Sequence, residues 1–230
     1  TKIKLLSPIY VYQATSIMEK IETNNETELV INYIQTELVD NIVTLGNLRI
    51  NSGGIINLNG HSIEVAGNLT FNETTINLSG SNLVVNGNLI QKGGTINLNG
   101  GNLIVKGTIT QEGGTLYING GKLLVNGDYN IQKSDGTNDY GILKMTNAND
   151  YVLVEGNFTT KSYTNHDSYL TAGIFELKGN FQQLNGSCFN FRTTGTHKVM
   201  LSGTGVQTVY FNDPNGSYIK IMDGTNATKI

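Results

Sequence analysis

Hydrophobic and polar residues alternate in short runs through most of this chain. Ile76 and Leu78 flank Asn77, and Leu83 and Val85 flank Val84. A period of two predicts β-strands that turn one face inward. The runs are short, about three to five residues. Gly, Asn and Ser fill the gaps, and these residues accept positive φ and turn geometry. No stretch between Gly46 and Gly127 has helical periodicity.

The runs also repeat. Units opening at Gly67, Gly87 and Gly107 each span 20 residues, and the unit from Gly46 spans 21. Longer units open at Gly127, Gly156 and Gly179, followed by Asp128-Tyr129, Asn157-Phe158 and Asn180-Phe181. A sandwich or meander has no need of constant spacing. A solenoid does, because each coil must sit on the last. Stacking at the repeat places Leu69, Leu89 and Ile109 in one column, and Ile76, Ile96 and Leu116 in a second. Leu78, Leu98 and Ile118 form a third; Leu83, Leu103 and Leu123 a fourth; Val65, Val85, Val105 and Val125 a fifth. The pattern predicts an all-β fold, a right-handed parallel β-helix with coils of about 20 residues; the hand follows the general crossover rule. About eight coils at roughly 4.8 Å each predict a rod roughly 40 Å long. Asn57, Asn77 and Asn97 fall between inward positions and are expected to point outward. Asn59, Ser79, Asn99 and Asn119 precede corners. Stacked amides in such columns can bond along the axis.

The ends break the pattern. Residues 1–45 hold no Gly and are expected to form an N-terminal cap and degenerate first coils; residues 46–230 form the β-helix in one structural domain. Ser16 with Glu19, and Asn25 with Glu28, have capping-box spacing, so a short helical cap is predicted near residues 14–23, with degenerate coils from about Glu28. Val43 and Leu45 fit the inward columns of such a coil. Regular coils span 46–127 and wider, aromatic-rich coils 128–230. Thirteen of the 18 aromatic residues lie from Tyr129 onward, and Tyr129, Phe158 and Phe181 stand where Leu69 and Leu89 stood earlier. Larger rings there predict core filling. Insertions occur at Ser134–Asp139 and Tyr163–Ser168. The segment from Thr196 to Phe211 reads as two strands round a Gly turn, which either continue or close the solenoid. The opening Thr1-Lys2-Ile3-Lys4 has no initiator Met, and the tail Thr225–Ile230 has no cap signal; a fragment of a larger protein is expected.

The run of Gly-Asn-aromatic units, with LKMTNANDYVLVEGNF, SYLTAGIFELKGNF and GTHKVMLSGTGVQTVYF, resembles a repeat module of large surface proteins of Gram-positive, often clostridial, bacteria. The resemblance covers roughly residues 46–221. A more distant similarity is to the tapirins, β-helical surface proteins that bind cellulose, although no tapirin binding residue matches a position here. The resemblance implies an extracellular or cell-surface location and a solenoid, and it suggests adhesion.

Charge then narrows the partners. Only 14% of residues are charged, and the formal net charge is −3. Nucleic-acid binding needs a basic face, which this chain lacks. No apolar run approaches the roughly 20 residues that span a bilayer, so no membrane insertion is expected in this segment. The single Cys188 excludes an internal disulfide framework and reads as a buried structural thiol.

Catalytic chemistry is sparse as well. β-Helical lyases use carboxylate-bound Ca²⁺ with a basic residue, and hydrolases use paired acids. Between Gly46 and Gly127 the only acids are Glu64, Glu73 and Glu112, in three different columns. Arg49 and Arg192 are the only arginines. His61, His166 and His197 are widely spaced and read as surface or turn histidines. Asp135, Asp139, Asp150 and Asp167 lie in or beside the insertions, with Glu155 and His166 near, and are the candidate Ca²⁺ ligands. Their spacing matches no Ca²⁺-binding loop, so no cofactor is expected. Tyr140, Tyr151, Tyr163 and Tyr169 cluster around the same insertions and are the candidate sugar-stacking residues, because loops on a rigid scaffold carry function. The expected function is non-catalytic adhesion to polysaccharide or a cell-wall surface. A structural spacer or head-to-tail filament subunit, self-associating end to end, is the second reading. A polysaccharide lyase or hydrolase is the third.

Overall fold

Three parallel sheets carry the repeat. The structure, a computed structural model, describes residues 9–11, 28–31, 34–38, 41–51, 53–137, 139–184, 189–212, 220–222 and 227–229. Each coil as far as Ile142–Lys144 contributes one strand to each sheet in turn; among the described residues the later coils add strands to sheets A and C alone. Sheet A runs through Leu48–Ile50, Leu69–Phe71, Leu89–Gln91, Ile109–Gln111, Tyr129–Ile131, Phe158–Thr160 and Phe181–Gln183. Sheet B runs through Gly54–Asn57, Thr74–Asn77, Thr95–Asn97, Thr115–Tyr117 and Ile142–Lys144. Sheet C runs through Ile63–Val65, Asn82–Val85, Asn102–Val105, Lys122–Val125, Tyr151–Val154, Ile174–Leu177 and Lys198–Leu201. The chain is therefore an all-β, parallel β-solenoid of about eight turns. Among the described residues there is no helix. The predicted cap helix at 14–23 and Cys188 lie outside the described residues.

The predicted columns are the observed register. Leu69 pairs with Leu89 and Leu89 with Ile109 in sheet A. Ile76, Ile96 and Leu116 pair in sheet B, and Leu83, Leu103 and Leu123 in sheet C. All five columns are buried. Burial of each such side chain contributes roughly 1.5–3 kcal/mol. The core is thus one continuous filling along the rod.

Two kinds of corner hold the coils apart and in line. At Asn59, Ser79, Asn99 and Asn119 the backbone is left-handed, with φ of 50°, 49°, 46° and 42°. Asn tolerates that region better than most side chains. At the Gly-Asn signature the coils approach closely. A Cβ on Gly87 would stand 2.7 Å from the Gly67 carbonyl oxygen, and one on Gly107 2.6 Å from that of Gly87. Only glycine fits the column. Its companion Asn explains the rest of the signature. Asn68 N donates to Asn47 Oδ1, Asn88 N to Asn68 Oδ1, and Thr108 N to Asn88 Oδ1, each at 2.8 Å. Asp128 and Asn157 continue the ladder by accepting from Asn157 N and Asn180 N at 2.7 and 2.9 Å. Asn57, Asn77 and Asn97 form a second ladder on sheet B, with Nδ2–Oδ1 distances of 2.7 and 2.8 Å.

The solenoid begins before Gly46 and continues beyond Thr196. Leu29–Ile31, Ile34–Glu37 and Ile42–Thr44 pair in parallel with the strands of the next coil, as the degenerate coils from about Glu28 require. The inward residues of that coil differ from expectation. Ile42 and Thr44 are buried, Val43 is half-buried, and Leu45 is 42% exposed. Pairing of Ile42 with Ile63 and Thr44 with Val65 fixes this, since a one-residue shift turns every side chain to the other face. At the other end Lys198–Leu201 pairs in parallel with Ile174–Leu177, and Val209–Phe211 with Phe181–Gln183. The segment from Thr196 to Phe211 is thus a further coil and not a closing hairpin.

In the wider coils rings replace aliphatic side chains. Tyr129, Phe158 and Phe181 pair in register and are buried. Phe158 meets Tyr129 edge-on at 5.4 Å and Phe175 at 4.9 Å, and Phe181 meets Phe191 at 4.8 Å. Tyr129 needs an acceptor inside the core and donates its hydroxyl to Gln111 Oε1 at 2.7 Å. Burial pushes the Tyr129 pKa up, so the phenol remains a neutral donor.

Candidate functional site

The insertions fold onto one another at the junction of sheets A and B. The first is a tight loop: Gly136 N donates to the Lys133 carbonyl at 2.8 Å, and Lys133 N to the Thr137 carbonyl at 3.1 Å. Asp135 Oδ1 accepts from Thr137 N and Thr137 Oγ1 at 2.9 and 2.6 Å. Glu112, one coil back, accepts from the amide and hydroxyl of Ser134. The second insertion stacks above the first. Tyr163 N donates to the Asp139 carbonyl at 2.6 Å, Lys161 Nζ to the Gly136 carbonyl at 2.6 Å, and Thr164 Oγ1 to the Tyr140 carbonyl at 3.3 Å.

This double loop lifts two tyrosines off the rod. Tyr140 is 67% exposed and Tyr163 49%. Their ring centroids lie 5.7 Å apart with planes at 41°. The other two candidate tyrosines stand elsewhere. Tyr169 is half-buried and meets the His166 ring edge-on at 6.0 Å. Tyr151 lies on the outer face of sheet C and donates its hydroxyl to Glu176 Oε2 at 2.6 Å. Burial and that carboxylate push the Tyr151 pKa to about 12. The sequence therefore names four rings, and the fold brings two of them together.

The four aspartates are dispersed among structural tasks. The Thr137 hydroxyl and amide hold the Asp135 carboxyl below its ordinary pKa. Asp139 is buried, and desolvation raises its pKa; Oδ1 accepts from Tyr140 N at 2.6 Å and Oδ2 has no partner. Asp150 is buried too, with its pKa raised by desolvation, and accepts from Gly120 N and Asn147 N at 2.5 and 2.9 Å. Asp167 pairs with Arg192 at 3.4 Å. Glu155 pairs with Lys178 at 2.7 Å. Among the described residues, no three His, Cys, Asp or Glu side chains converge in a geometry that would hold a metal ion.

Two histidines depart from the surface reading. His166 and His197 are buried. His166 Nδ1 lies 3.0 Å from the Thr164 carbonyl, and its Nε2 accepts from Leu143 N at 3.3 Å. His197 Nδ1 lies 2.8 Å from the Ala172 carbonyl. A carbonyl only accepts, so Nδ1 carries the proton in both rings, and Nε2 of His166, an acceptor, carries none. Desolvation pushes both pKa values down to about 4. The insertions and larger corners of the wide coils give these rings an interior to occupy.

No protein-family model matches the chain, and no curated protein or solved structure is detectably similar to it. A functional reading rests on the chain itself.

One further feature escapes sequence reasoning. A groove of about 600 Å³ crosses the corner between sheets B and C over three coils, lined by Ala148, Gly173, Ile174, Gly195, Thr196, His197 and Lys198. Its walls come from three separate segments, each unremarkable alone. The traceable signal is the pair Gly173 and Gly195, with φ of +83° and +57°. A Cβ at Gly173 would meet Asp150 Cβ at 2.6 Å, and one at Gly195 the Thr171 carbonyl at 2.5 Å, so both corners are held in one conformation.

Proposed function

We propose that this chain is a non-catalytic, exported β-solenoid module of the bacterial surface that adheres to polysaccharide. The observation that carries the reading is the exposed Tyr140–Tyr163 pair, held up by a hydrogen-bonded double loop on a rigid rod. Pyranose rings have an apolar C–H face, which an exposed aromatic ring can cover. A preformed platform loses little conformational freedom on binding. The structural engagement of Asp135, Asp150, Glu155 and Asp167 supports binding over hydrolysis, which needs two free carboxyl groups facing one bond. The surface location follows from the resemblance of the long coils to clostridial surface repeats. The rod also suits a spacer, since its columns run in register through the described coils. A pure spacer has no use for the tyrosine pair.

Retention on insoluble cellulose, xylan and chitin tests this reading. The protein should be retained on at least one of them. A Tyr140→Ala, Tyr163→Ala variant should lose retention and keep its melting temperature, because exposed side chains change stability by only about 0.5 kcal/mol. Absence of retention on any glycan removes the adhesive reading.

A further inference from the structure

The groove at the corner of sheets B and C has the chemistry of a ligand site, distinct from the tyrosine pair. Gly173 and Ile174 give it an apolar floor, and Ala148 is exposed at its rim. Thr196 is exposed at its edge. Lys198 lies in sheet C beside Ile174, in strand register, and its ammonium has no ion-pair partner among the described residues. The carboxylates at neighbouring positions are engaged: Asp150 is turned onto the amides of Gly120 and Asn147, and Glu176 accepts from Tyr151 and Ser202. His197 lines the groove, but its ring is fully buried and its Nε2 has no surface that a ligand could reach.

These groups define a ligand. It needs an apolar face for Ile174 and the glycine corners. It needs a hydroxyl for Thr196 at the edge, and an anionic oxygen for Lys198. It must lie across three coils, or two steps, a length of roughly 10 Å. A neutral sugar meets the first two demands, and a uronate meets all of them. We propose that this groove is a subsite for acidic polysaccharide, binding one or two uronate units with the carboxylate on Lys198 and the hydroxyl rim toward Thr196. The proposal rests on the polysaccharide-binding reading and names the class of sugar.

Calorimetric titration with oligogalacturonate and oligoglucuronate, beside neutral oligosaccharides of the same length, tests it. The protein should bind an oligouronate, with affinity that falls as salt is added. Lys198→Gln should weaken that binding at least about tenfold, which corresponds to about 1.4 kcal/mol. Ala148→Trp, at an exposed rim position, should block it by filling the groove. Both variants should melt with the wild type. The tyrosine double variant should bind uronate unchanged. Absence of oligouronate binding, binding indifferent to both Lys198→Gln and Ala148→Trp, or equal affinity for neutral oligosaccharides would overturn the proposal. Tyrosine-dependent retention on an insoluble neutral glycan would then still stand, so the two readings fail separately.

Discussion

A buried imidazole in an apolar rod has no counter-charge to meet, so it stays neutral until acid forces a proton onto it. His166 and His197 are in this position, with pKa values near 4 against an ordinary value near 6.5. Between those values the unfolded chain binds more protons than the folded one, so stability falls as pH drops below about 6.5. Each ring should cost about 3 kcal/mol by the time pH reaches about 4. Urea midpoints measured from neutral pH to about pH 4 should fall steeply, and His166→Gln should flatten the fall. Asp139 and Asp150 act in the opposite sense, since burial raises their pKa values and protonation relieves them. The glutamine variant isolates the histidine part. Nothing in the sequence around either histidine marks burial, because the interior they enter is built from residues on neighbouring coils. Val43 and Leu45 misled for a related reason. Both are aliphatic, and only the register against Ile63 and Val65 decides which of two alternating sets turns inward.

At the scale of the element, the corner outweighs the strand. A three-residue strand such as Leu89–Gln91 makes few bonds of its own, and its place is fixed by what precedes it. The Asn side-chain ladder beside the glycine column supplies that fixing. Asn88 accepts from Thr108 N, so Asn88→Ala should lower stability by about 1 kcal/mol, the usual net worth of one such bond. Asn88→Asp should retain most of it, because Asp128 already performs the same task toward Asn157. Chemical denaturation of the two variants side by side would separate lost bonding from lost volume. The strands and the outward Asn column were legible from spacing alone, since a constant repeat lets each position be compared with its neighbours one coil away. The double loop was legible only as an insertion. Its hydrogen bonds join Glu112, Ser134, Asp139 and Tyr163, whose meeting depends on how two irregular segments stack.

For the whole molecule, the repeat implies modularity. Each regular coil contacts its two neighbours, so stability is close to a sum over coils and interfaces. Removing residues 87–106, one full period, would bring Ile109 onto Leu69 and Leu123 onto Leu83, leaving every column intact. Such a deletion should fold with only a modest fall in melting temperature, whereas removal of half a period should abolish the cooperative transition seen by circular dichroism. The solenoid was legible in the sequence because its regular coils repeat, and the groove was not, because the wide coils that form it do not. The corner ladder has one more consequence. In every rung the later coil donates its backbone N–H to an acceptor already fixed on the earlier coil, from Asn47 through to Asn180, which receives Thr208 N. These rungs all point one way along the rod, while the backbone bonds beside them run the other way, from Leu69 N to the Asn88 carbonyl and from Leu89 N to that of Thr108. A finished coil thus presents acceptors and donors alike to the segment that emerges next, so a chain appearing from its N-terminus can be laid down turn by turn, without waiting for its far end.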